Sequence, residues 1–400
     1  MYNKLIIKKY VNSFLYLLTI VFLLFVPTSI NGEFLEINNV KIISLLLISI
    51  LLVCLNGNLS KVKMVIFLGV QLVFWGFTLI NLLRGVTHYT WNLGSYSILT
   101  IITFLFIFNF KSTIDLKLNK LIFNLTNIII IVWGLGLVFD VSFINNLTIS
   151  YYSQYTGWTI YNMLENNKPI LSFGTHSFSA LFIFFMIILN KLYSDTDRLN
   201  AVFIVFYIFL LLMTQSTTSF GLLILILLYV VSKFSSNKKG LLYILFVFLL
   251  CTLSTIIFLQ GDLLNTLLDR YDGLSSRYST MMFDETWEVI KANIALGVLV
   301  PSGNSITLID SGIINFMFKG NIFLLVFFYL LFYWFAKKNL REYYIHFFIV
   351  FILFEIGVSF FAMDVRSLAL IIFILLTVNS APKYNNAYEY TNEKRVSYEV

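Results

Sequence analysis

The sequence predicts an all-α fold, a polytopic integral membrane protein with about twelve transmembrane helices, and three observations carry that prediction. Of the 400 residues 59% are hydrophobic and 12% charged, with a mean hydropathy of +0.87; a soluble domain is about one quarter charged. Apolar runs long enough to cross a hydrocarbon core, about 20 residues of helix, recur along the whole length. The basic residues cluster in alternate connecting segments, as the positive-inside bias requires.

The predicted spans lie near 11–29, 40–56, 63–83, 94–110, 120–140, 172–190, 200–215, 218–233, 240–260, 321–336, 343–362 and 367–380. The first follows Lys4, Lys8 and Lys9 and reads as a membrane helix rather than a signal peptide, because the run is long and no A-x-A-like cleavage site follows. With that N-terminus inside, the second span delivers Lys61 and Lys63 to the cytoplasm, and the fourth delivers Lys111, Lys117 and Lys120. The sixth is followed by Lys191 and Arg198, and the eighth by Lys233, Lys238 and Lys239. Lys337, Lys338 and Arg341 follow the tenth; Lys383, Lys394 and Arg395 follow the last. In all, 19 of the 27 Lys and Arg residues fall inside, and a missed or surplus span would have inverted the pattern downstream. Both termini are then cytoplasmic.

Residues 1–380 form a single transmembrane domain, and 381–400 a polar cytoplasmic tail expected to be disordered. Two long loops, about 141–171 and 261–320, face outward, so function is expected on that side. The net charge of +7 comes with no basic block and gives no reason to expect nucleic acid. Cys54 and Cys251 fall inside apolar runs, which excludes a CxxC site.

The external stretch 267–294 gathers Asp269, Arg270, Asp272, Arg277, Asp284, Glu285, Glu288 and Lys291. Within it Phe283, Trp287, Ile290 and Ile294 recur at helical spacing opposite Arg277, Asp284, Glu288 and Lys291, the pattern of an amphipathic helix lying on the membrane. Two readings are open: a solvated loop with scattered ion pairs, or a lid that presents Arg270 and Arg277 to an anionic headgroup. Behind it the chain descends through Pro301, Gly303, Asp310, Gly312 and Gly320, residues that break regular structure or carry charge.

Glu355 sits inside an apolar run, where a carboxylate is costly and faces a partner or a wet cavity. It either pairs with an arginine such as Arg366 or stays protonated. His176, in "FGTHSFSA", titrates near neutrality or else serves as an interfacial histidine bonded to a turn. Trp287, with Trp91 and Trp158, lies outside, available to stack on a sugar ring or to anchor the interface.

The arginine-bearing amphipathic segment, the descent through Asp310, Ser311 and Gly312 and the glycine-broken helix together resemble the Wzy polysaccharide polymerases of the O-antigen polymerase and ligase family. "NLLRGVTHYTWNLGSYSI" resembles the family's arginine at the outer end of the third helix. "KPILSFGTHSFSALFIF" resembles its glycine-containing start of the helix after the first large loop, and "LLLMTQSTTSFGLLIL" its Thr-x-Ser hairpin. The chain departs from the family at Thr217 and at Lys168, where arginines are usual, and it lacks the long-spaced Arg-to-Gly repeats of some members.

The resemblance implies polymerisation of oligosaccharide repeat units carried on undecaprenyl pyrophosphate, at the outer face of a bacterial plasma membrane. Arg277 and Arg84, backed by Arg270 and Arg366, would hold the pyrophosphate by paired hydrogen bonds. Asp310 would take the acceptor proton, with His176 next in rank, and Glu355 and Trp287 would complete the substrate site. No metal cluster or cofactor is implied. The partners implied are the lipid-linked oligosaccharide, a flippase and a chain-length regulator. Ligase relatives share the loop plan, and lipid-linked oligosaccharide flippases also have about twelve helices, though transport tends to need more polar groups at the membrane midplane than Glu355 alone.

Overall fold

The structure, a computed structural model, describes residues 2–28, 35–56, 60–85, 93–108, 115–156, 158–194, 198–234, 312–319, 321–339, 344–357 and 365–380. The described elements are all helices. In chain order they are α1 (Tyr2–Leu24), α2 (Leu35–Asn56), α3 (Lys61–Leu83), α4 (Leu93–Phe108), α5 (Leu116–Val138), α6 (Ser142–Thr156) and α7 (Trp158–Glu165). Then come α8 (His176–Ser194), α9 (Arg198–Met213), α10 (Thr217–Phe234), α11 (Gly312–Lys319), α12 (Ile322–Asn339), α13 (Tyr344–Gly357) and α14 (Val365–Ser380).

Each predicted span coincides with one of these helices except 240–260, which lies outside the described residues. Five helices are long and apolar enough to cross a membrane, over Ile7–Leu24, Asn38–Asn56, Lys61–Ile80, Lys117–Val138 and His176–Tyr193. Helices are what such sequences form in lipid, because every backbone polar group must be satisfied within the segment.

Their ends are set by local chemistry. Ser60 accepts a hydrogen bond from the Lys63 amide at 3.3 Å to open α3, and Asp115 accepts from the Leu118 amide at 3.0 Å to open α5. Asn321 accepts from the Leu324 amide at 2.8 Å to open α12. Between α9 and α10, Gln215 takes a φ of 48°, and Ser216 and Ser219 exchange amide-to-hydroxyl bonds of 3.0 and 3.1 Å. That reciprocal cap makes the Thr-x-Ser segment a tight hairpin.

Two regions differ from the sequence expectation. Residues 141–171 are not an open loop, because α6 and α7 occupy most of it. Neither has a long apolar run. Tertiary contacts hold α6: Trp133 of α5 donates to Thr148 at 3.0 Å and stacks on Tyr152 at 5.6 Å. Burial raises the Tyr152 hydroxyl pKa far above its ordinary value, and the neighbouring Tyr151 raises it further. The second difference is α11, a helix that begins at Gly312, where the sequence suggested only a break.

The chain divides into two compact units. In the first, residues 1–123 and 281–400, α1 packs on α2 and α14, α4 packs on α2, α3 and α12, and α11 packs on α12 and α13. Phe106 of α4 stacks against Phe332 and Phe335 of α12 at 5.4 and 4.3 Å. Asn12 and Asn56 exchange amide bonds of 2.9 and 2.8 Å between α1 and α2. In the second unit, residues 124–280, α8 packs on α9 and α10, and α6 on α7. There a buried polar network joins three helices. Asn190 donates to Asn127 at 2.7 Å, Tyr207 donates to Asn127 at 2.9 Å, and Asn200 donates to Asn190 at 2.8 Å.

Candidate functional site

The candidate site is built on α11, α12 and α13 of the first unit. Phe316 of α11 packs on Phe328 of α12 with ring centroids 4.9 Å apart, and both are fully buried. That contact fixes the short helix on its neighbour. α13, an almost unbroken apolar sequence, carries Glu355 near its C-terminal end. Glu355 is fully buried. Its Oε2 accepts a hydrogen bond from the Tyr329 hydroxyl of α12 at 3.1 Å.

The same carboxylate lies against Gly312, the first residue of α11, so closely that a methyl group there would overlap it. A helix start carries unsatisfied N–H groups and a partial positive charge. The carboxylate therefore has two favourable neighbours, a phenol and the electropositive end of a helix. Such a group is equipped to hold a negative charge or a proton inside an apolar bundle.

This geometry joins two residues that the sequence singled out separately, Glu355 in its apolar run and Gly312 in the glycine-bearing descent. Asp310 itself, with Arg270, Arg277 and Trp287, lies outside the described residues. Arg366 is the second residue of α14 and is buried, 9% exposed. Arg84 is the exposed C-cap of α3, its amide donating to the Ile80 carbonyl at 3.1 Å. His176 opens α8 in the second unit and is half-buried. It follows a buried segment, Pro169–Gly174, in which Leu171 and Gly174 take φ of 50° and 66°. Ser179 ties that segment to α8 by donating to the Ile170 and Thr175 carbonyls at 2.7 and 2.8 Å.

Sequence reasoning missed two residues. Tyr329 looked like one more aromatic in an apolar helix, and nothing local marks it as a partner of Glu355. Lys41, near the start of the predicted span 40–56, received no role, yet it is 1% exposed and donates to the Val26 carbonyl at 2.8 Å and the Thr28 hydroxyl at 2.9 Å. Its place one turn inside "NNVKIISLLL" was the available signal. Among the described residues no group of three or more His, Cys, Asp or Glu side chains could hold a metal ion.

By the length and composition of its helices, the chain belongs to the class of helical multi-pass membrane proteins. Comparison with protein-family models, with curated proteins and with solved structures finds no match to any of them.

Proposed function

We propose that this protein is a Wzy-type polymerase, joining undecaprenyl-pyrophosphate-linked oligosaccharide repeat units into surface polysaccharide at the outer face of the bacterial plasma membrane. The observation that carries the reading is the contact of the buried Glu355 with Gly312, at the end of the segment that resembles the family's Asp-x-Gly descent. Further support comes from the long apolar helices and the hairpin between α9 and α10. On this reading the chain crosses the membrane twelve times with both termini inside.

The reaction transfers the growing chain from its lipid pyrophosphate to a hydroxyl of the incoming unit. The acceptor oxygen bonds to the anomeric carbon, the bond from that carbon to the pyrophosphate oxygen breaks, and the electron pair leaves with the lipid pyrophosphate. Charge grows on the phosphate oxygens, and Arg277 and Arg84, with Arg270 and Arg366, stabilise it. Asp310 takes the hydroxyl proton, with His176 as the other candidate. Glu355 has a positioning role: by packing on Gly312 it fixes the start of α11, two residues beyond Asp310.

Deletion of the gene followed by sizing of cell-surface glycan tests the proposal. Single repeat units in place of long chains are the expected result. No external glycan would indicate a flippase instead, and full-length polymer left on its lipid carrier would indicate a ligase. Glycan of unchanged length and attachment would sink all three.

A further inference from the structure

The second unit contains a cleft of about 250 Å³ beyond the end of α5, framed by α6 and α7. Asn145 and Ile149 fall four apart on α6; Tyr161, Leu164 and Glu165 share one face of α7 by their spacing of three and four. Leu164 is buried and Ile149 half-buried, while Asp140, Tyr161, Glu165 and Asn167 are exposed. Apolar side chains thus lie beneath a ring of hydrogen-bonding groups. The Asn145 amide donates to the Asp140 carboxylate, which orients both. The Asn145 carbonyl oxygen is buried and has no hydrogen-bond partner among the described residues. The cleft is at the opposite end of α5 from Lys117 and Lys120, the end that positive-inside placement puts outside.

We infer that this cleft binds one neutral or N-acetylated sugar ring. A pyranose has an apolar C–H face and a rim of hydroxyls, which match the Leu164 and Ile149 surface and the surrounding polar ring. The Asp140 and Glu165 carboxylates accept hydroxyl protons in charge-assisted bonds, and the Tyr161 ring offers an apolar wall. Two carboxylates on one small cleft repel uronic acids and phosphates, which separates it from any pyrophosphate site. Its size is just under the usual range for ligand pockets, about 300–1,000 Å³, and suits one ring rather than an oligosaccharide. That the ring is the terminal sugar of the incoming acceptor rests on the polymerase reading; sugar binding itself does not.

Saturation-transfer NMR on the full-length protein in lipid nanodiscs tests it, with glucose, galactose and N-acetylglucosamine as probes and glucuronate as the anionic control. At least one neutral probe should show transfer and glucuronate none. Asp140→Asn and Glu165→Gln keep side-chain shape, and Asn suits the positive φ of 53° at position 140. Each should weaken the bound probe about tenfold, the loss of one charge-assisted bond. No transfer from any neutral probe, transfer unchanged in both variants, or transfer that requires added Ca²⁺ would overturn the inference. Surface-glycan sizing in the deletion strain runs alongside. Sugar binding with unchanged glycan would leave the cleft standing and remove the polymerase reading.

Discussion

Replacing Gly312 with alanine tests the core of the candidate site. A methyl group at that position overlaps the Glu355 carboxylate, and the farther Oε1 would still lie at 2.8 Å, inside any normal contact. A glutamate tip on a surface would swing away at little cost. Here the side chain is fully buried and held by Tyr329 at 3.1 Å, so moving it means repacking neighbours or breaking that bond. Overpacking a dense interior costs about 1–3 kcal/mol, and losing a hydrogen bond to a charged group about 1.5–3 kcal/mol. Against this stands the better helix propensity of alanine, at most about 1 kcal/mol and smaller at a first helical residue. The clash wins, and a net loss of about 2–4 kcal/mol is expected. Purified protein in detergent should melt a few degrees lower. Glu355→Asp withdraws the carboxylate by one methylene, so in the Gly312→Ala background it should recover part of the loss, the non-additivity of residues in contact. A Gly312→Ala protein with unchanged melting, or single effects that simply add, would refute the contact.

Four further outcomes are expected. Asn127→Leu removes the acceptor that the buried Tyr207 hydroxyl has at 2.9 Å and the Asn190 amide at 2.7 Å, which should lower stability by about 1–3 kcal/mol; adding Tyr207→Phe should restore part of it, and a melting temperature that falls again would contradict the assignment. In a background lacking Cys54 and Cys251, cysteines replacing Gln154 and Ser275 should label from outside and one replacing Asn237 should not; protection of position 275 would overturn the twelve-span topology. Arg277→Lys should lose most polymer although the charge is kept, because a lysine lacks the planar fork for pyrophosphate, and full chain length would show that charge alone suffices. Asp310→Asn should abolish transfer by purified protein while donor binding persists, a rise in barrier of a few kcal/mol; normal polymerisation would promote His176.

The helices were legible because one signal, a long apolar run, dominates elements such as α3, where Val62, Leu68, Leu72 and Leu79 remain exposed. The hairpin at Ser216 was legible for a local reason, since serines three residues apart form their own cap. α6 and α7 were not, because α6 is held by a tertiary partner, Trp133 of α5, and α7 packs on α6, neither of which composition shows. At the site, Glu355 announced itself as a carboxylate in an apolar run. Its partners did not: Tyr329 is 26 residues away, and Gly312 belongs to a different helix. Lys41 escaped notice because a lysine near the start of a span reads as a solvated flanking charge, whereas this residue of α2 is buried and donates to Val26 and Thr28, just beyond the end of α1.

The length of α11 explains why glycine and carboxylate occur together. Eight residues of helix span about 12 Å, well short of the roughly 30 Å needed to cross a bilayer core. Such a helix cannot place both ends in water if it packs within a membrane bundle, and its contacts with α12 and α13 and the full burial of Phe316 keep it inside the protein. One end must then have its unsatisfied N–H groups met by protein, or leave them stranded at a cost of several kcal/mol each in hydrocarbon. Glu355 stands at that end, and only a residue with no side chain lets it come close enough. The carboxylate that is expensive in isolation thus offsets the cost of a half-length helix, and the helix in turn offsets the cost of the carboxylate. Gly312 and Glu355 thus act as a single coupled element in this fold.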